Sequence, residues 1–332
     1  MNSHPLFSLI ILNWNGQKWL DNCFRSIQLQ TFSSFEIILA DNNSIDASIS
    51  TALSCPFSIQ IAAFSQNMGY TGANNLASHM ARGEWLVFLN NDTRLAPDFL
   101  EQLARVAANK HSAHIMVPTI KDYEGLTSGE YHFALDILGY PSQRVARDPF
   151  WGHGCALTVR RDVFVSLGGF DDDYFIFFEE SDFCWRAQIT GHDVVGAPAA
   201  IVHHFGGGTV GDGTVVAGRI VTSAQRRYLS ERNRFSNLLK NYGTFMLCVV
   251  VPLYIAMISF AVVLLSFSRQ WPLVRAYVQA FEWHIKNLRR TLRKRTQVQR
   301  LRIRNDLFFL RRMYFGLREV ELLLRFGIPS AH

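Results

Sequence analysis

The sequence predicts an α/β protein. It should form a mostly parallel sheet flanked by helices, followed by a helical, hydrophobic and basic C-terminal extension. Short apolar runs alternate with segments of helical apolar spacing, a pattern that folds as strand, crossover helix and parallel strand. Polar clusters end three of those runs, as expected where strand carboxyl ends meet at one ligand edge. Beyond about residue 212 the composition turns Arg- and Asn-rich, then charge-free, then strongly basic.

Residues 7–12 (FSLIIL) read as a buried strand, broken by Asn13-Trp14-Asn15-Gly16. Residues 19–29 carry helical spacing. Residues 35–40 (FEIILA) form a second strand ending at Asp41-Asn42-Asn43-Ser44, and 58–63 a weaker third. After Asn67-Met68-Gly69, residues 70–80 read as a helix. Residues 84–89 (EWLVFL) are a fourth strand, ending at Asn90-Asn91-Asp92, and Pro97 stands near the start of a helix reaching about residue 109. Residues 110–150 are turn-rich and yield no clear element, whereas 151–186 are dense in reactive side chains. Residues 194–202 lead into His203-His204-Phe205 and three glycines.

A chain of 332 residues suits one large domain with an appendage, or two modest domains, and 48% hydrophobic content excludes a disordered chain. The net charge of +6 suits anionic partners: nucleotide, nucleic acid or anionic lipid. Five cysteines, with no CxxC pair and no regular spacing, argue against a disulfide framework and for a reducing compartment. The N-terminus has no basic segment followed by an apolar one, so no signal peptide is expected.

Asp92, on a turn at a sheet edge, suits a hard divalent cation shared with diphosphate oxygens; the plainer role is a helix cap. Glu179 and Glu180 follow an aromatic run that would raise a carboxyl pKa and favour a general base; they equally suit an acidic first helical turn. His204, ahead of three glycines, offers a metal ligand where backbone can approach closely, with His203 as a competitor.

Taken in order, residues 11–16 (ILNWNG), 38–44 (ILADNNS), 67–75 (NMGYTGANN) and 88–93 (FLNNDT) form a recognisable set. It continues with 168–171 (GGFD), 178–186 (FEESDFCWR) and 204–209 (HFGGGT). The chain thereby resembles the family 2 glycosyltransferases, rhamnosyltransferase-like branch, over about residues 6 to 210. The resemblance implies a GT-A fold, a Rossmann-like mixed, mostly parallel sheet that binds a nucleotide-sugar, and inversion at the anomeric carbon. By position it implies that Trp14 packs on the base and Asp41 holds the nucleoside. Asn74 lies near the diphosphate, with Asn75 and Asn91 also in the donor-binding set. Asp92 is the last acid of the metal motif, and Glu180 the base that deprotonates the acceptor, with Glu179 as alternative. His204 is a second ligand for Mn²⁺ or Mg²⁺. Asn90 and Asn91 replace the first two positions of the metal motif, leaving less charge on the ion, and Glu-Glu stands where Glu-Asp is usual.

The expected layout is a catalytic domain over 1–212, a basic helical connector over 213–244, a hydrophobic membrane-associated segment over 245–268 and a basic amphipathic tail over 269–332. Residues 245–267 are long enough to cross a hydrocarbon layer of roughly 30 Å. Basic residues on both flanks argue against a single span, and Pro252 suggests a re-entrant turn or a shallow helix pair on anionic headgroups. The implied activity is transfer of a sugar, L-rhamnose from a dTDP donor being the leading choice. The acceptor would be a glycan or a lipid-linked sugar in surface polysaccharide synthesis, at the cytoplasmic face of the plasma membrane. The alternative is an inactive assembly factor on the same fold. No nucleic-acid motif accompanies the basic helices, so nucleic-acid binding is not expected. The sequence does not set the oligomeric state.

Overall fold

The computed structural model describes residues 4–126, 129, 133–143, 149–206, 214–216 and 219–331. The glycines and threonine at 207–209, part of the His204 motif, lie outside the described residues. The first stretch of elements is β1 (Phe7–Asn13), α1 (Gln17–Gln28), β2 (Phe35–Asp41), α2 (Ser48–Leu53), β3 (Gln60–Ala63), α3 (Gly69–Ser78), β4 (Trp85–Asn90), β5 (Thr93–Leu95) and α4 (Phe99–Asn109). Then come β6 (Ala113–Asp122), β7 (Phe133–Leu135), β8 (Pro141–Gln143), β9 (Ala156–Arg160), α5 (Arg161–Ser166), α6 (Glu179–Ile189) and β10 (Asp193–His204). The chain ends with β11 (Thr214–Val216), β12 (Arg219–Thr222), α7 (Ala224–Asn241), α8 (Thr244–Phe267), α9 (Trp271–Arg300), α10 (Asp306–Leu310), α11 (Arg318–Phe326) and β13 (Ser330–Ala331). Two compact units result, one built mainly from 1–133, 146–188 and 192–211, the other from 134–145, 189–191 and 212–332.

The first unit holds an eight-stranded sheet of order β3-β2-β1-β4-β9-β6-β10-β5. The first four strands are parallel. β9 enters antiparallel between β4 and β6, β10 runs parallel to β6, and β5 closes the edge antiparallel to β10. This is the mixed, mostly parallel sheet expected. Leu9, Ile11, Ile37, Leu39, Val87 and Leu89 belong to one core cluster, while Ile10, Ile38 and Phe88 are equally buried from the other face. Burial on both faces is why these strands read as unbroken apolar runs rather than alternating ones. α1 buries Leu20, Cys23, Phe24 and Ile27, the i, i+3, i+4, i+7 stripe of a helix lying on the sheet.

The turn-rich stretch 110–150 contains a ten-residue strand, β6, that the sequence did not reveal. Pro118 masked it. Pairing with β10 shifts register between Ala197 and Ile201, next to the Ala197–Pro118 pair, and an irregular site tolerates the missing proline N–H. β9 was hidden for a different reason: five residues lying antiparallel inside a parallel sheet need no crossover helix, and so leave no alternation to read.

In the second unit the segment expected to be a helical connector opens instead as a strand pair, β11 with β12. α7 then starts behind Ser223, whose hydroxyl accepts the Arg226 amide at 3.1 Å as an N-cap. Its charged face is not solvated. Arg232, Asn233, Arg234, Asn237 and Asn241 are buried, and Arg234 pairs with Glu231 and with Glu319 at 3.0 Å, against the rings of Tyr140 and Tyr254. A buried guanidinium is held in place only by such pairing.

No hairpin forms at Pro252: α8 runs unbroken through it for 24 residues, about 36 Å at 1.5 Å per residue. One missing hydrogen bond kinks a long apolar helix more readily than it reverses one. The chain turns back only after α8, where Arg269 adopts a φ of 56°, and α9 packs on α7 and α8. Among the described residues α8 is the one helix long and apolar enough to cross a membrane, and little of it is buried.

His284 of α9 is buried, with Nε2 2.9 Å from the Arg232 carbonyl and its ring edge-on to Phe235. Burial, ahead of the nearby Arg232 charge, pushes its pKa down to about 4. The unfolded chain therefore binds this proton before the folded one does. Stability should be unaffected above about pH 6.5 and should fall as pH drops from there to 4, by up to about 3 kcal/mol. Thermal melts across that range check this: His284→Gln should flatten the acid limb, and an unchanged limb would refute the assignment.

Candidate active site

The carboxyl ends of β1, β2 and β4 are brought into register, Asn13 opposite Asp41 and Leu12 opposite Asn90. Asn13 Nδ2 donates to Asp41 Oδ1 at 2.9 Å and to Ser44 Oγ at 3.0 Å, while Asn91 Nδ2 donates to Asn13 Oδ1 at 2.8 Å. The Ser44 amide donates to the other Asp41 oxygen at 3.0 Å. Three sequence clusters thus become one polar floor. Gly16 is required here, because a Cβ would lie 1.8 Å from Asn91 Nδ2 and 2.3 Å from Asn13 Oδ1. Asn15 and Asn43 take positive φ angles of 49° and 65°, which asparagine tolerates better than most residues. Between them Trp14 stands exposed, free to cover a planar ligand.

The asparagines of α3 divide. Asn74 is buried, its Nδ2 on the Tyr70 carbonyl at 3.0 Å. Asn75 is committed to the loop after α5: its Nδ2 donates to the Phe170 carbonyl and to Asp172 Oδ1, both at 2.8 Å, and its Oδ1 accepts the Phe170 amide at 2.9 Å. It shapes a loop rather than lining the polar floor.

Pairing of β10 with β5 sets His204 opposite Thr93, which carries the imidazole to the end of the Asn90–Asp92 turn. His204 Nε2 lies 3.3 Å from Asp92 Oδ1, both side chains largely buried. His203 turns away, its Nδ1 3.2 Å from the Asp122 carbonyl. Burial alone would lower the His204 pKa, but the Cys155 thiolate and Asp92 outweigh it and lift it to about 11. Burial likewise raises the Cys155 thiol, yet the charges of His204 and His153 and hydrogen bonds to both hold it at about 6.

The third component is the start of α6. Phe175, Phe177 and Phe178 have φ angles of 64°, 74° and 69°, a left-handed conformation that costs an aromatic residue about 1–3 kcal/mol. Tertiary contacts impose it. The Phe175 carbonyl caps α3, accepting the Tyr70 and Thr71 amides at 2.6 and 3.2 Å. Arg186 pins the other side, donating to Asp182 at 2.7 Å and to the Leu167 and Gly169 carbonyls. The strained turn delivers Glu179 and Glu180 into the interior, where Oε2 of each is buried without a hydrogen-bond partner. Burial, and then the charge of Glu180, drives the Glu179 pKa well above the carboxylate range. Burial also raises Glu180, but the facing His153 charge and the Gly154 amide restrain it. Both carboxyls are raised, Glu179 the more strongly, and the His153 charge favours the ionised form of Glu180.

His153, Gly154 and Cys155 join the halves. Tyr70 Oη donates to the Gly154 carbonyl at 2.8 Å, Glu180 accepts the Gly154 amide, and the His153 ring lies 5.5 Å from that of His204. Sequence reading passed over this segment; a histidine and a cysteine two residues apart ahead of a short strand was the available signal.

Apposed strand-end loops with a metal-capable pair and a buried carboxylate, on a sheet of this order, define a nucleotide-sugar-dependent glycosyltransferase of the GT-A fold. Residues 8–167 match the model of the glycosyl transferase family 2 domain. It is 26% identical over 230 residues to the N-acetylglucosaminyl-diphospho-decaprenol L-rhamnosyltransferase of Mycobacterium tuberculosis, covering 59% of this chain and 75% of the relative. The fold is similar to that of TarS from S. aureus, with a TM-score of 0.52 at 16% identity over 71% of this chain and 40% of TarS. It is also similar to the mannosyltransferase PcManGT from Pyrobaculum calidifontis, solved in complex with GDP-Man and Mn2+. There the TM-score is 0.54 at 14% identity, over 86% of this chain and 76% of that one.

Proposed function

We propose that the protein transfers L-rhamnose, or a closely similar sugar, from a dTDP donor to a lipid-linked acceptor, with inversion. The observation that carries this reading is the alignment of Asp92–His204, His153 and Glu180 along one wall, a metal-capable pair at one end and a buried base at the other. Asp41, with Asn13 and Asn91, receives the nucleoside and Trp14 covers its base. Asp92 and His204 suit a divalent cation, since two ligand atoms already converge there; when bound, such an ion offsets charge on the departing diphosphate. Glu180, ionised, takes the acceptor hydroxyl proton as that oxygen attacks the anomeric carbon from the face opposite the diphosphate, which inverts the configuration. The protonated Glu179 keeps a second negative charge away from the base. Asn74 and Asn75 support the donor side through α3.

The choice of sugar follows the similarity to the mycobacterial enzyme, which by its name acts on a diphospho-decaprenol-linked sugar. A lipid-linked acceptor also agrees with the exposed apolar surface of α8. α9 adds Val278, Phe281, Ile285, Leu288 and Leu292 in one exposed stripe beside Lys286, Arg289, Arg290 and Arg293, suited to an anionic membrane surface. The cytoplasmic face is where a nucleotide-sugar would be met.

The test is a thermal-shift screen of nucleotide-sugars with and without Mn²⁺, followed by transfer to a polyprenyl-diphosphate sugar and NMR of the product's anomeric centre. dTDP-rhamnose at a hundredfold excess over its Kd should stabilise the protein by about 2.7 kcal/mol. Preference for another donor would replace the sugar assignment. Stabilisation by none would sink the catalytic reading in favour of an inactive assembly factor.

A further inference from the structure

Beside the hard-ion pair lies a donor set of different chemistry. His153, Cys155 and His204 each offer a ligand atom, and these atoms lie within 4.8 Å of one another. Cys155 is fully buried, and its backbone amide donates to His153 Nδ1 at 3.1 Å, which fixes the two residues beside each other. A tetrahedral site with metal–nitrogen bonds near 2.0 Å and a metal–sulfur bond near 2.3 Å needs neighbouring ligands about 3.3–3.8 Å apart. Asp92 Oδ1 lies 3.3 Å from His204 Nε2, close enough to that ring to be drawn in as a further ligand. Two imidazoles, one thiolate and one carboxylate match a borderline-soft cation and not Mg²⁺ or Mn²⁺, which prefer oxygen.

We propose that His153, Cys155 and His204, closed by Asp92, form a binding site for Zn²⁺ or a cation of its class. Binding forms a sulfur–metal bond to the Cys155 thiolate and nitrogen–metal bonds to the neutral rings of His153 and His204, and any proton those groups carry leaves to solvent. Because His204 and Asp92 belong to both sets, a zinc-class ion and a hard ion cannot occupy the wall together. The site therefore selects between metals: a soft ion locks the wall, whereas a hard ion bound through Asp92 and His204 leaves Cys155 and His153 unligated. The inference rests on ligand geometry alone, and is independent of which donor the protein uses.

The experiment titrates metal-free protein with Co²⁺ and reads the near-ultraviolet thiolate-to-cobalt charge-transfer band. Wild type should develop the band at a single equivalent, and Zn²⁺ should bleach it. The band should vanish in Cys155→Ala and survive in a Cys55→Ser/Cys248→Ser double variant, with thermal melts reporting that each is folded. Should Cys155→Ala not fold, zinc X-ray absorption on the wild-type protein decides: one sulfur scatterer at about 2.3 Å is expected. A shell of nitrogen and oxygen only, or a band that persists without Cys155, overturns the proposal. Nucleotide-sugar stabilisation, measured separately, is untouched by either outcome.

Discussion

Glu180→Gln is expected to lower kcat for sugar transfer by about 10²–10⁴-fold, the usual contribution of a general base. The amide keeps the size of the side chain and removes only its proton affinity, so the donor KM and the melting temperature should change little. Glu179→Gln should cost far less, since a protonated carboxyl is already close to an amide in charge. The pH profile adds a signature. Activity needs Glu180 ionised, and its pKa is raised by burial more than the His153 charge lowers it. The acid limb of kcat should therefore fall at a pH above the ordinary carboxylate range. A large loss in Glu179→Gln with little in Glu180→Gln would reverse the two roles.

Asp92→Ala should abolish metal-dependent donor binding and reduce transfer by at least about 10²-fold, as expected when several kcal/mol of charge stabilisation is lost. With Asn at 90 and 91, Asp92 is the sole carboxylate of its turn, so no neighbour can substitute for it. It also faces His204 at 3.3 Å, and its loss removes one of the two groups that hold that imidazole protonated in the metal-free protein. Titration calorimetry of Mn²⁺ in the presence of a nucleoside diphosphate checks both: heat in wild type, none in Asp92→Ala. Unchanged binding would move the metal elsewhere.

Much of this protein was legible before any fold was known. The parallel half of the sheet announced itself because strands buried on both faces must be apolar throughout, as in residues 7–12, 35–40 and 84–89. Asp41 and Asp92 stood out because they end apolar runs at one sheet edge, and Glu180 because it follows an aromatic run, although each residue also suits a turn or a helix start. The helix at α7 was legible but its burial was not, since only Glu231, Glu319 and the tyrosines around Arg234 make this Arg-rich stretch an interior helix.

Sequence alone determined which strands exist in the parallel half, which of them end in polar clusters and that apolar and basic helices follow, because those are properties of local pattern. Tertiary structure decided what depends on distant partners. β9 slips antiparallel into the sheet, Asn75 is drawn to the loop at Phe170, and Pro252 stays helical. Above all, the fold sets His153 and Cys155 against His204 and raises the Glu179 carboxyl further than that of Glu180, which faces His153. The contacts of His153 with His204 and of Asn75 with Phe170 join residues far apart in the chain, and no short window of sequence contains them.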